Sequence, residues 1–254
     1  MKAELSAAEI KELSKFRFAS DLPDGVTPIE FTRLLEESSM NSLLRKLEVE
    51  MVSPDLKTTA SVWMKRHAFL AVIYLYAMSV FNKQLNAAPD SLLLVEMKKD
   101  GLWLPDFYFN SKSALLCPDE SRDEWRREAV RHLFEDNIFP IMETLGKAAK
   151  ISKLILWENV AVYIYWLYEK VLAEHADEVI KARAAEDFNY VIRLAPGSLF
   201  GNYHQNPLAR YYTEPVYQED TNSFVRVRKT CCFTYKLNAK GFCKTCPKIC
   251  GPKK

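Results

Sequence analysis

Glycine is scarce in this chain, with seven in 254 residues. Neither G-x-G-x-x-G nor G-x-x-x-x-G-K-[ST] occurs. The backbone cradles that hold a dinucleotide pyrophosphate or a nucleoside triphosphate are therefore not encoded in their usual form. The four histidines, His67, His132, His175 and His204, form no H-E-x-x-H. None follows a glutamate by three residues, the spacing that paired-iron helix bundles require. The longest wholly apolar helical stretch, 68–81, is bracketed by Lys65, Arg66 and Lys83. It falls short of the ~20 residues that span a bilayer, so a core helix and no membrane span is expected. The first residues, Met-Lys-Ala-Glu-Leu-Ser, carry charge and no apolar secretion core. The expected location is the cytoplasm, where thiols stay reduced and disulfides are disfavoured. No internal repeat or low-complexity tract is visible.

What the chain does have is an uneven placement of cysteine. Five of its six cysteines fall in the last 24 residues: Cys231, Cys232, Cys243, Cys246 and Cys250. The first four read C-C-x10-C-x2-C. Such clustering points to a metal site or a disulfide framework. Cys243-x2-Cys246 is the spacing of a chelate loop. Its partner pair is contiguous, and in an extended strand Cys231 and Cys232 would point to opposite faces, so both reach one site only if the backbone bends or bulges. Uneven grouping suits a two-iron cluster, with ligands shared between metals, better than one tetrahedral zinc. Zinc and disulfides stay open on spacing alone. Cys117 stands apart, without a neighbouring His or Lys, and reads as a small hydrophobe or bystander.

Charge is divided as unevenly. Nine of the 35 Lys and Arg, and none of the 33 Asp and Glu, lie between Thr221 and Lys254. The preceding body is left with 26 basic residues against 33 acidic ones. A basic tail suits nucleic acid. It equally offsets the negative charge of four thiolates around a metal, the reading adopted here, with no nucleic-acid partner.

The cysteine array, preceded by Arg228-x-Thr230 and followed by Tyr235, resembles the C-terminal [2Fe–2S] signature of FhuF-type ferric-siderophore reductases. Trp157-Glu158-Asn159, opening an apolar helix, and Asn206-Pro207 agree with that resemblance upstream; its sharp part covers about the last 25 residues. Cys250 departs from it, because Cys243-x2-Cys246-x3-Cys250 partly imitates a bacterial ferredoxin run. The resemblance implies an iron–sulfur oxidoreductase with Cys231, Cys232, Cys243 and Cys246 as the ligands of a [2Fe–2S] cluster, and Cys117 and Cys250 outside it. It implies one-electron reduction of siderophore-chelated Fe(III), releasing Fe(II) in the cytoplasm for iron assimilation. The chelate would be a hydroxamate or mixed carboxylate-hydroxamate. The electron would come from an external donor such as a ferredoxin, a flavodoxin or a flavin reductase system, since the chain has no glycine-rich loop for NADH or NADPH. Arg226, Arg228 and Lys229, leading into the array, and Arg210 in the preceding loop are candidates for binding an anionic chelate. Phe233, Tyr235 and Phe242 are candidates for shielding the cluster. The rival reading is a non-enzymatic zinc module whose basic tail contacts nucleic acid or a protein.

The expected fold is mainly α (α+β), with a helical body over 1–205 and a β-containing cluster module over 206–254. Ser6-x-x-Glu9 is a capping box for a helix to about 18. Thr27-Pro28-x-Glu30 reads as a second helix start, running to about 51 with a break at 38–41. A long helix is expected over 57–81. Runs 92–97 and 102–109 read as a hairpin turning at Lys98–Gly101, with Pro105 making the second run an edge strand or an irregular one. Helices follow over 121–136, from Pro140 to about 146, over 153–173 capped by Ser152, and over 178–194 stopped by Pro196-Gly197. Trp157, Ala161, Ile164 and Tyr168 share a core-facing stripe, from which Trp157 or Tyr165 could line a pocket. Glu128 and His132 read as a surface pair. An irregular stretch, 201–222, precedes a strand over 224–237.

Overall fold

The computed structural model describes residues 1–219, 222–237 and 241–250. Lys240, Lys253 and Lys254, three of the tail cations, lie outside the described residues, as does Thr221. In chain order the helices are α1 (Ala7–Ser14), α2 (Glu37–Glu50), α3 (Leu56–Phe81), α4 (Arg122–Leu133), α5 (Phe139–Ala149), α6 (Lys153–Trp166) and α7 (Glu178–Asn189). Small sheets complete a mainly α, α+β architecture, as the sequence implies.

The centre is α3. Asp55 caps it by accepting from the Thr58 amide at 2.7 Å. Asn82 ends it in the left-handed conformation, φ 53°. Its apolar second half is buried, because α6, α2, α7 and α5 all pack around it. That explains why its sequence shows no polar stripe. The capping box of α1 forms as expected, with Ser6 and Glu9 exchanging backbone-to-side-chain hydrogen bonds.

Three helices continue through a π turn, at Phe134–Ile138, Leu167–Leu172 and Tyr190–Leu194. The first joins α4 to α5 in one rod. Pro140 sits in the opening turn of α5, directly after the π turn, where the ladder of the continuous rod is already interrupted. The helix runs past the expected end at 146 to Ala149.

Leu92–Val95 pairs antiparallel with Asp106–Phe109, Leu92 opposite Phe109 and Leu94 opposite Phe107. The hairpin extends through Lys98–Lys99 and Leu102–Trp103 to a two-residue turn. Asp100 and Gly101 both have positive φ there, 51° and 71°, as a type I′ turn demands. Of the two expectations for the second run, the irregular one holds, since it breaks into Leu102–Trp103 and Asp106–Phe109. The edge position is corrected: Phe18–Ala19 adds on its far side, so Asp106–Phe109 lies inside a four-stranded sheet. Pro105 falls between the two strand pieces, where no ladder hydrogen bond is asked of it.

Two other expectations differ. Residues 29–30 form a strand, and the helical segment begins only at Phe31, first as a 3₁₀ turn to Leu35 and then as α2. The break thus lies at Glu36 rather than at 38–41. The strand expected over 224–237 is limited to Ser223–Val225, paired with Val216–Gln218. Beyond it the described residues are irregular apart from a 3₁₀ turn at Thr234–Lys236 and a single helical turn at Pro247–Cys250. Leu208 and Tyr211, from the irregular stretch, are buried in the same core as the helices.

Candidate metal centre and adjoining cavity

Cys231 and Cys232 occupy the irregular segment, and Phe233 turns the chain immediately after them with φ 59°. Cys243 and Cys246 flank a tight turn closed by the Cys246 amide on the Cys243 carbonyl at 2.9 Å. The Sγ atoms of Cys232 and Cys243 stand 3.9 Å apart. Two thiolates bound to one tetrahedral metal at ~2.3 Å would be about 3.8 Å apart. Among the described residues no three His, Cys, Asp or Glu side chains close on a single metal position. The arrangement is a close pair with Cys231 and Cys246 within electrostatic range of it. Cys232 and Cys246 are buried; Cys231 and Cys243 are partly exposed.

Cys232 is the thiol held toward its thiolate. The hydrogen bond from Cys243 does most, working against burial, with Lys65, Thr234 and Arg228 adding to it. Cys243 is pushed up as the donor of that bond, and burial raises Cys231. An all-sulfur donor set with cations beside it fits an iron–sulfur cluster, and Cys231, Cys232, Cys243 and Cys246 are the residues able to hold one. Cys250 donates to the Lys244 carbonyl at 3.1 Å, and Cys117 lies in the body, 3.7 Å from the Arg122 guanidinium. Tyr235 and Phe242 stack with centroids 4.9 Å apart, while Phe233 packs on the core.

The cysteine segment is held to the body by buried polar side chains. Glu158, on α6 and 2% exposed, accepts from the Lys229 amide at 2.6 Å and the Thr230 amide at 2.7 Å. It also accepts from the Thr230 hydroxyl. Arg228 is 3.7 Å from the same carboxylate and donates to Asn159 Oδ1 at 2.6 Å. Asn159 in turn donates to Ser61 on α3, whose hydroxyl donates to the Cys232 carbonyl at 2.8 Å. Lys65, one turn on, donates to the Thr234 hydroxyl. Each member is partnered, so this buried network is rigid rather than a liability.

On the other side of this anchor lies a cavity of about 570 Å³. Trp157, Tyr203 and Tyr211 give it aromatic walls, and Lys153, Arg210 and Lys229 give it positive charge. No acidic side chain is among its described lining residues. The Trp157 indole N–H donates to the Tyr203 hydroxyl at 2.9 Å, fixing both rings. Asn206 secures the loop by donating to the Val191 carbonyl at 2.8 Å and accepting from the Leu208 amide at 2.9 Å. Gly197 permits this approach, since a Cβ there would stand 2.5 Å from the Tyr203 carbonyl oxygen.

Of the four cations singled out in the sequence, Arg210 and Lys229 line the cavity. Arg228 is buried and engaged by Asn159 and Glu158. Arg226 pairs with Glu169 at 2.6 Å and lies 4.1 Å over the Tyr212 ring. The structure thus assigns Arg226 and Arg228 to anchoring the segment, not to the cavity. Tyr165 turns its hydroxyl to the Leu208 carbonyl at 2.8 Å and is not a cavity wall. Glu128 pairs with Arg131 rather than His132, whose Nδ1 faces Asp136 at 3.0 Å.

Residues 61–217 match the family described as ferric iron reductase FhuF-like transporter. The chain belongs to this family. The FhuF-like region runs from the first turns of α3 to the strand Val216–Gln218 and ends before the cysteine array. It contains Ser61, Glu158, Asn159 and every cavity-lining residue except Lys229. No curated protein matches the chain. Among the described residues no helix is long and apolar enough to cross a membrane.

Several residues of the FhuF-like site were invisible as such in the sequence. Glu158 and Asn159 lie in the Trp-Glu-Asn motif, which does not by itself disclose their anchoring role. The signal was available: a charged and an amide side chain inside a wholly apolar helix are costly unless partnered. Tyr203, His204 and Lys153 carried no such mark.

Proposed function

We propose that this protein is a ferric-siderophore reductase that receives single electrons from an external protein donor and passes them to chelated Fe(III), releasing Fe(II) in the cytoplasm. The observation that carries the reading is the shared wall. Trp157 and Lys229 line the cavity, while Glu158, between Trp157 and Asn159, grips the main chain of residues 229 and 230, next to Cys231 and Cys232. A substrate in the cavity would therefore touch Lys229, two residues before Cys231 in the anchored segment.

When bound by Cys231, Cys232, Cys243 and Cys246, a [2Fe–2S] cluster supplies electrons one at a time. Hydroxamate and carboxylate oxygens grip Fe(III) better than Fe(II), so a chelate that gains one electron loosens on its metal without acid or base assistance. The chain's own residues bind and orient that chelate. Its size class fits ligand sites of ~300–1,000 Å³. Arg210, Lys153 and Lys229 favour a chelate carrying carboxylate or net negative charge, and the Trp157–Tyr203 pair offers a fixed aromatic face. Arg228 and Lys65 balance thiolate charge in the anchor.

The test is anaerobic. Purified protein should be brown, with two irons per chain and visible charge-transfer bands that return when the reduced form meets a ferric hydroxamate or carboxylate siderophore. Serine at Cys231, Cys232, Cys243 or Cys246 should lose the iron, while Cys250→Ser and Cys117→Ser should keep it. NADPH alone should not bleach the bands; a ferredoxin or flavodoxin system should. A colourless protein with equimolar zinc would replace this reading with the zinc module.

A further inference from the structure

Arg66 and Lys65 are neighbours on α3 with different fates. Lys65 reaches Thr234. The Arg66 guanidinium forms no hydrogen bond or ion pair with any described residue, and its Nε is buried without a partner. Burial lowers its pKa, which registers the cost of holding this charge out of water. Arg17 lies within electrostatic range, has Nη1 buried without a partner, and stacks 4.1 Å over Phe69. Asp106 and Tyr163 face this pair at a distance, and neither bonds to it. Two mostly buried guanidiniums thus share a region where no described residue supplies a contacting counter-ion, an arrangement costly unless an anion completes it.

Arg66 also lines a cavity of about 380 Å³ whose other walls include Val62, Leu102, Trp103 and Leu237. Glu50 and Lys98 also line it, and they pair with each other at 3.3 Å, with Lys46 3.8 Å from the same carboxylate. The Trp103 indole is fixed by its N–H on Glu96 at 3.1 Å. This cavity and the 570 Å³ cavity share no described lining residue.

We infer that this second cavity binds a small organic anion, with a carboxylate on Arg66 and a flat apolar body against Val62, Trp103 and Leu237. The volume equals that of about a dozen waters at ~30 Å³ each, which suits a compact aromatic acid and not a siderophore. A planar fork of donors matches a carboxylate bidentately. The site does not depend on the proposed reductase reading. It does abut the cysteine segment: Leu237 follows the turn Thr234–Lys236, and the Thr234 hydroxyl lies 3.2 Å from Cys232 Sγ.

Benzoate and its neutral isostere benzamide, titrated calorimetrically into the full-length protein, test the inference, with inorganic phosphate as a third arm. Benzoate should bind at least tenfold more tightly than benzamide or phosphate. Arg66→Gln should cost benzoate at least tenfold and leave benzamide unchanged. If Arg66→Gln does not fold, Arg66→Lys, which keeps the charge and loses the fork, should still weaken benzoate selectively. Equal binding of benzoate and benzamide, no heat with benzoate, or an Arg66 variant that binds benzoate as wild type does would overturn the site. Phosphate binding as tightly as benzoate would overturn the apolar half of the assignment.

Discussion

Replacing Glu158 with glutamine changes one atom and tests the anchor. The carboxylate accepts three hydrogen bonds from residues 229 and 230 and lies beside buried Arg228. Glutamine keeps one acceptor oxygen, which can still serve Thr230, but it sets an amide N–H₂ against the Lys229 amide. It also leaves Arg228, 5% exposed, without its anionic neighbour. Removing one partner of a buried ion pair costs about 3–5 kcal/mol. The core formed by α3 and α6 does not need residues 228–232 to stay folded, so the loss should appear first as local opening. At 1.4 kcal/mol per decade, even the lower figure is about a hundredfold. Amide hydrogen exchange measures it directly: the Lys229 and Thr230 amides of the metal-free protein should exchange about a hundredfold faster in Glu158→Gln, while α3 amides keep their rates. Unchanged exchange at Thr230, or equal acceleration throughout α3, would refute the anchor.

Other expectations follow from single contacts. Gly197→Ala should destabilise the protein by roughly 1–3 kcal/mol in chemical denaturation, because its methyl meets the Tyr203 carbonyl at 2.5 Å, and it should weaken chelate binding as Tyr203 shifts. Arg210→Ala should weaken an anionic ferric chelate about two- to fivefold and a neutral one not at all, with the difference vanishing at high salt. His67 is enclosed by Trp63, Phe31 and Phe107, and burial holds its pKa down at about 3. It is neutral when folded and takes up a proton on unfolding below about pH 6.5. Stability should therefore fall as pH drops from 6.5 toward 3, by up to ~1.4 kcal/mol per unit from this group, and urea titrations of His67→Leu at pH 7 and 5 should show a shallower loss.

Helix positions were legible where local chemistry decides them. The Ser6–Glu9 box, the Ser152 cap and the Asp100–Gly101 turn each carry their geometry in neighbouring residues. What misled was long-range. Thr27-Pro28-x-Glu30 has the composition of a helix start, yet Ile29–Glu30 pairs with Leu93–Leu94, a partner more than sixty residues away. Alternation from 224 onward suggested a strand, but only Val216–Gln218 offers a ladder, and it reaches just three residues. The cation-rich lead-in to the cysteines was visible in sequence. Its division was not, because only the folded positions of Glu169, Asn159 and the cavity separate Arg226 and Arg228 from Arg210 and Lys229.

The grip of Glu158 on residues 229 and 230 is mainly a grip on amide hydrogens, which every residue except proline possesses. Position 229 can consequently drift in sequence without detaching the segment. Its side chain, which reaches the cavity, is open to selection for a different ligand charge, while at that position the carboxylate behind it reads only the backbone. Diversification of the cavity lining and retention of the cysteine segment are in this way separated onto the two halves of one residue, and proline is the substitution that such divergence should avoid at 229 and 230.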